Sequence, residues 1–213
     1  MIGIVTIERE YGSGAAAIAA ALAKRLGWAL WDHEITCEIA RRLKCDIESV
    51  EQREERLDPT FYRLAKIFMR GSYEDSFTGS GLELLDAEHL ARLFERVVKD
   101  VAARGNCIIV GRGATWFLRD RPDVFHVFIY ASRDEKIRRI TAQGKRRAEA
   151  EDLIERVDRE RAAFIRKYYG RTWPQRDLYD LMINSQAGDQ VVTEVILNHM
   201  DLLQKQPVAS RPA

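Results

Sequence analysis

The first 27 residues constrain this chain most. Residues 2–7 are an apolar, largely β-branched run, a glycine-bearing turn follows, and residues 14–26 are an alanine-rich segment stopped by Gly27. The first run has strand character, the alanines favour a helix, and a glycine just past the last turn is a common helix stop. Strand, glycine turn and helix in that order make the βα unit of a parallel sheet. The turn also has the outline of a phosphate-binding loop. The full pattern, G-x-x-x-x-G-K-[ST], uses backbone N–H groups to cradle phosphates, a lysine for the outer phosphates and a hydroxyl for Mg²⁺. Here Gly14 stands at the second glycine, Arg9 at the first, and Ala15, Ala16 and Ala17 fill the lysine and hydroxyl places. Taken alone, a motif broken in this way favours an ordinary βα turn rich in glycine.

Further along, residues 28–31 form a second short apolar run closed by Asp32, an acceptable N-cap for a helix over about 33–43. From 46 to 81 the periodicity weakens. A charged helical piece near 47–56, a break at Pro59, an amphipathic piece near 61–69 and a Gly/Ser-rich loop together read as an insertion. Leu90, Leu93, Phe94, Val97, Val98 and Val101 then trace one face of a helix over about 86–103. Continuous apolar runs at 107–110 and 124–130 have the length and composition of strands covered on both faces. Charged helices are predicted over 133–142 and 149–169, a fifth strand over 178–183 and a closing helix over 191–203. The polar tail from Gln204 is expected to fray. Five buried strands alternating with helices predict an open parallel α/β sheet, in which ligands bind at the carboxyl ends of the strands. The residues to question are therefore 9–14, Asp32, Gly111-Arg112-Gly113, 131–133 and Asn184-Ser185.

At 213 residues the chain suits one globular domain with a substantial core. Lys plus Arg is 34 against 33 for Asp plus Glu, so overall charge argues for neither nucleic acid nor an anionic membrane as partner. Charge is concentrated locally instead. Residues 133–147 carry seven basic and two acidic side chains, a patch for a small anion or a solvated helix face. The basic and aromatic stretch 166–173 invites stacking on nucleic acid, a reading that the neutral domain disfavours. Cys37, Cys45 and Cys107 are an odd number in a chain too long to need disulfide staples, which fits a reducing compartment. His33 and Cys37 are one helical turn apart, but no second pair of ligand spacing accompanies them, and the metal question stays open. No stretch approaches 18 apolar residues and no signal-like segment opens the chain, so a soluble, cytoplasmic protein is expected.

Six local patterns agree with one family. Ile-Glu-Arg-Glu-Tyr-Gly-Ser-Gly at 7–14, Trp-Asp-His-Glu-Ile at 31–35, Ile-Ile-Val-Gly-Arg-Gly-Ala at 108–114, Val-Phe-Ile-Tyr-Ala at 127–131, Asp-Arg-Glu-Arg at 158–161 and Tyr-Asp-Leu-Met-Ile-Asn-Ser at 179–185 together resemble the cytidylate kinase-like family. That family is a branch of the nucleoside monophosphate kinases, and the resemblance runs to about Asn198. It implies a three-layer P-loop kinase-like α/β fold, a five-stranded parallel sheet flanked by helices, in a single domain over 1–203. The core would be 1–45 and 82–203, with an acceptor-binding insertion at about 46–81 and a lid at about 143–161.

The resemblance also implies ATP and Mg²⁺ as cofactors and nucleotides as partners, with neither nucleic acid nor membrane, and it leaves a homo-oligomer open. The backbone of Gly12, Ser13, Gly14, Ala15, Ala16 and Ala17 would hold donor phosphates at a helix N-terminus, with Lys145, Arg146 and Arg147 closing from the lid. Arg112 matches an arginine that contacts the acceptor. Asp158 matches an aspartate that helps bind it, and Arg161 an arginine that touches the transferring phosphate. Asp32 would face the acceptor pocket or a Mg²⁺ water. The plainer alternatives are a solvated turn at 145–147 and an i, i+3 ion pair between Asp158 and Arg161.

This chain departs from the resemblance in its side chains. Relatives often read Gly-Ser-Gly-Gly-Arg-Glu at the loop, whereas Ala16 and Ala17 take the places of the arginine and the glutamate. Lys24 cannot stand in, because ten residues of helix put it about 15 Å away. Arg9 can fork onto a phosphate and is the candidate replacement. Gly113 stands where cytidylate kinases proper carry Asp, which removes one contact of the cytosine-specific pattern. Two functional readings follow: a phosphotransferase moving the terminal phosphate of ATP to CMP, dCMP or a similar monophosphate, and a non-catalytic nucleotide-binding or sensing protein. An oligomerising scaffold draws support only from the unassigned region 46–81.

Overall fold

The computed structural model describes residues 1–32, 35, 38 and 87–205, the side chains of 87–91 and 168 excepted. The expected helix over 33–43 (apart from residues 35 and 38), the insertion at about 46–81, the His33/Cys37 pair and the tail beyond 205 lie outside the described residues.

The first βα unit forms as the sequence predicts, with one difference that matters for the site. Strand β1 is Ile4–Arg9 rather than 2–7, because Glu8 and Arg9 continue to pair with the neighbouring strand, Glu8 opposite Phe128 and Arg9 opposite Ile129. Helix α1, Ala15–Leu26, follows the loop and ends on Gly27. The remaining elements are β2 (Ala29–Trp31), α2 (Ala87–Ala103), β3 (Cys107–Val110), the short α3 (Ala114–Phe117), β4 (Val124–Tyr130), α4 (Arg133–Ala142), α5 (Arg147–Tyr169), β5 (Leu181–Asn184) and α6 (Asp189–Lys205). Other boundaries differ from expectation by a few residues. The fifth strand starts later because Arg176–Leu178 coils into a 3₁₀ turn, α5 starts two residues earlier, and α6 continues through Gln204 and Lys205. The 107–110 and 124–130 strands fall where the apolar runs put them.

The five strands among the described residues are parallel, in the order β2-β3-β1-β4-β5, with β1 at the centre. Alternation along each strand supplies both faces. Val5, Ile7, Ile108, Val110, Phe125, Val127 and Ile129 pack against α1 and α6 through Ile18, Leu22, Val192 and Ile196. On the other face Ile4, Cys107, Ile109 and Val124 meet Phe94, Val97, Val98 and Val101 of α2 and Phe164 of α5. This is the three-layer arrangement that continuous apolar strands require, since a parallel sheet is covered on both sides. Cys107, the one cysteine among the described residues, is a free buried thiol. No described helix is long and apolar enough to cross a membrane.

Phe94 is fully buried between α2 and the sheet, while Leu202 on α6 is 63% exposed. Phe94→Ala should therefore cost about 3 to 5 kcal/mol in urea denaturation and Leu202→Ala less than about 0.5 kcal/mol. A Phe94→Ala loss below about 1 kcal/mol would contradict this packing.

Candidate functional site at the carboxyl ends of the strands

Past Arg9 the backbone turns over the end of β1. Glu10 N–H donates to the Ile129 carbonyl at 3.0 Å and Ser13 N–H to the Glu10 carbonyl at 3.3 Å, which closes the turn before α1. Gly14 caps α1 in the left-handed conformation, φ 79°, with no side-chain cap, so the first N–H groups of the helix stay open to a ligand. The Ser185 hydroxyl at the end of β5 donates to the Ser13 carbonyl at 2.6 Å and pins the loop to the sheet. Ser13 is itself buried, and its Oγ has no hydrogen-bond partner among the described residues. Gly12 to Ala17 thus form one wall of a cavity of about 390 Å³, whose other walls include Arg9, Tyr11, Arg138, Arg139 and Arg161.

Among the described residues, three arginines are buried at the same end of the sheet: Arg9 from β1, Arg112 from the turn after β3, and Arg161 from α5. The turn Gly111-Arg112-Gly113 has three successive left-handed residues, φ 69°, 61° and 72°. An arginine held there is strained by about 1 to 3 kcal/mol, and such strain clusters at functional sites. Gly111 is needed for a second reason. A Cβ there would lie 2.1 Å from Nη1 of Arg9, whose guanidinium rests against the turn. Arg161 Nη1 donates to the Arg9 carbonyl at 2.8 Å and to Asp158 Oδ1 at 2.7 Å, and its guanidinium lies 5.2 Å over the Trp173 ring.

Carboxylates offset these charges. Burial pulls the Arg112 guanidinium down to about 9, with Arg9 and Arg161 reinforcing the shift and Asp32 and Glu8 opposing it, so Arg112 stays cationic at neutral pH. Asp32 is buried at the end of β2, facing this cluster. Asp158 also accepts from Tyr11 N–H at 2.9 Å, and Lys136 of α4 stands 3.9 Å from it and 2.6 Å from Glu10. Burial pushes the Asp158 carboxyl up to about 6, against the pull of Arg161 and Lys136.

The structure brings Arg9, Gly12 to Ala17 and Arg161 to one cavity, with Asp158 tied to Arg161 and with Arg112 and Asp32 clustered beside them. It does not bring Lys145, Arg146 or Arg147 to that cavity. Arg146 caps α5, Lys145 engages Glu149 at 3.5 Å and Arg147 engages Glu151 at 3.2 Å, the solvated-turn arrangement. Beside Arg161 of α5, the cavity is lined by Arg138 and Arg139 of α4, two residues that the family resemblance does not single out. Their place in the basic stretch 133–147 was visible, but which turn of the helix faces the loop was not. In the sequence, Glu8 and Ser185 stand only as members of the 7–14 and 179–185 patterns, Ser185 also at a strand end, with no role of their own, and Lys136 only within the basic stretch 133–147.

A parallel sheet with a glycine loop feeding the central strand into α1, and strand-end arginines around it, defines the P-loop kinase-like class of α/β proteins. A model of the cytidylate kinase-like family matches residues 4–187, and the chain belongs to that family. A cytidylate kinase from Methanosarcina mazei is 31% identical over 99 residues, 46% of this chain and 55% of that relative's own length. Among solved structures, an uncharacterized protein from Eubacterium ventriosum superposes with a TM-score of 0.65 at 22% identity, covering 95% of this chain and 99% of the other. A shikimate kinase from Acinetobacter baumannii in complex with shikimate gives a TM-score of 0.54 at 16% identity, covering 97% of each chain. These two likenesses are of fold. Family membership supports a kinase-like function on a nucleotide or another small molecule.

The Asp158 shift carries a pH signature. The folded protein holds this proton up to about pH 6, where an ordinary aspartate releases it near 3.8. Between those values the folded state binds more protons than the unfolded state, so this group's contribution to stability falls as pH rises. Relative to Asp158→Asn, the wild type should gain about 2 kcal/mol in urea titrations as pH drops from about 7 to about 4. A difference that does not change with pH would contradict the desolvated, partly buried carboxyl.

Proposed function

We propose that this protein is an ATP-dependent phosphotransferase that moves the terminal phosphate of ATP to a nucleoside monophosphate, with CMP or dCMP as the first acceptor to test. The observation that carries this reading is the cavity of about 390 Å³ between the loop backbone and Arg9, Arg138, Arg139 and Arg161. Phosphoryl transfer needs little covalent help from a protein. It depends on in-line positioning and on neutralising charge at the phosphate oxygens, which fixed arginines supply.

The residues present fit a donor triphosphate. The open N–H groups at the start of α1 and the unpartnered Ser13 hydroxyl are the polar atoms such a group would engage. Mg²⁺ is served differently. Among the described residues no group of three or more His, Cys, Asp or Glu side chains could hold a metal ion, and Ala15 to Ala17 offer no hydroxyl. The ion would arrive on the nucleotide phosphates, supplying charge neutralisation there, with Asp32 facing one of its waters. Arg112 and Asp158 would orient the acceptor monophosphate, Arg161 would stabilise the group in transfer, and Arg9 would bridge the two ends of the site.

A second reading, nucleotide binding without transfer, draws on Ala15 to Ala17, which put no side-chain cation in the first turn of α1. Turnover separates the two. With ATP, Mg²⁺ and CMP or dCMP, the protein should form ADP, and Arg161→Ala should lower kcat/KM about ten- to a hundredfold, the value of one charge-assisted phosphate contact. Folded protein that binds ATP yet turns over none of the common monophosphates would decide for the binding protein.

A further inference from the structure

We infer that Arg139 of α4 is the cation that replaces the missing loop lysine, an inference that rests on the phosphotransferase reading above. The loop itself points to it. A Cβ on Gly14 would lie 1.7 Å from Arg139 Nη1 and 2.7 Å from its Cζ, so the guanidinium is seated directly on the loop glycine. Gly14 precedes Ala15, the place where the lysine would stand, and Arg139 lines the same cavity.

Arg139 is also held there. Its Nε donates to Glu135 at 2.7 Å, one turn back on α4, its Nη1 to Asp189 at the start of α6 at 2.8 Å, and its Nη2 to the Ser185 carbonyl at 3.2 Å. Glu135, kept ionised well below the usual carboxylate range by Arg138 and Arg139, is a permanent partner. Three of the five guanidinium N–H groups are thereby used, and two, one on each terminal nitrogen, are left for a phosphate. A side chain fixed by three elements loses little further freedom when a ligand arrives, which is how a positioned arginine can serve where a flexible lysine would otherwise reach.

Arg9, the replacement suggested by the sequence, is less well placed. Its guanidinium rests on Gly111 at the end of β3, on the side of Arg112 and Asp32, rather than on Gly14. Arg9 and Arg139 are thus two arginines, each seated on a glycine, at two different parts of the site. Glu135 and Asp189 are positioning residues for Arg139.

Calorimetry with inorganic tripolyphosphate, ATP and adenosine as separate probes tests this, on wild type, Arg139→Ala and the double variant Arg139→Ala/Ala15→Lys. Arg139→Ala should weaken tripolyphosphate and ATP about ten- to a hundredfold while leaving adenosine unchanged, and Ala15→Lys should recover most of that loss. If Arg139→Ala lacks a cooperative thermal transition, Arg139→Gln takes its place with the same expectations. Unchanged tripolyphosphate affinity, or a loss confined to adenosine, overturns the inference while leaving the phosphotransferase reading in place. A wild type that binds neither ATP nor tripolyphosphate overturns both.

Discussion

Burying three arginines at one end of the sheet is the constraint around which the functional end of this molecule is arranged. An uncompensated cation taken out of water costs several kcal/mol, and Arg9, Arg112 and Arg161 lie close enough to disfavour one another's charge. The fold answers with carboxylates from different elements: Glu8 on β1, Asp32 after β2 and Asp158 on α5. Each hydrogen bond then ties two elements together. Arg161 joins α5 to the backbone of β1, Asp158 joins α5 to the loop through Tyr11, and Arg9 closes onto the turn after β3, where a Cβ at Gly111 would meet its guanidinium. The glycines, the left-handed Arg112 and the paired carboxylates all serve this one cluster.

The loop itself divides its task between backbone and side chains. Its amides come from the start of α1, and the cations around it come from α4, α5 and β1. Because phosphoryl transfer rests on electrostatics more than on any one nucleophile, charges delivered from separate elements can serve as well as a lysine in the loop, provided the sheet fixes their positions. Ser185 contributes to that fixing by binding the Ser13 carbonyl, so the end of β5 sets the height of the loop.

Most of the fold was legible in the sequence, because apolar runs at 107–110 and 124–130 and the helical stripe from Leu93 to Val101 report burial directly. The end of β1 was not. Glu8 and Arg9 break the apolar run, yet pairing with Phe128 and Ile129 carries the strand through them. Likewise the fifth strand is expected from Leu178, yet 176–178 coils into a 3₁₀ turn and strand pairing starts only at Leu181. At the site, the family resemblance pointed to Arg112, Asp158 and Arg161, which the fold sets at one end of the sheet. The resemblance also pointed to Lys145, Arg146 and Arg147 for the donor side, whereas Arg138 and Arg139, six to nine residues earlier in the same basic stretch, line the cavity. Linear charge density identifies a patch, but which helical turn meets the loop depends on how α4 packs through Ile137 and Ile140 against Tyr11 and α5.

The most direct measurement is a crystal structure with a non-hydrolysable ATP analogue and CMP bound. The phosphates are expected on the amides of 12–17, with nitrogens of Arg139 and Arg161 within about 3 Å of phosphate oxygens. A triphosphate bound elsewhere on the molecule, or seated on the loop with both arginines turned away from it, would contradict the claim that the missing lysine's charge comes from outside the loop.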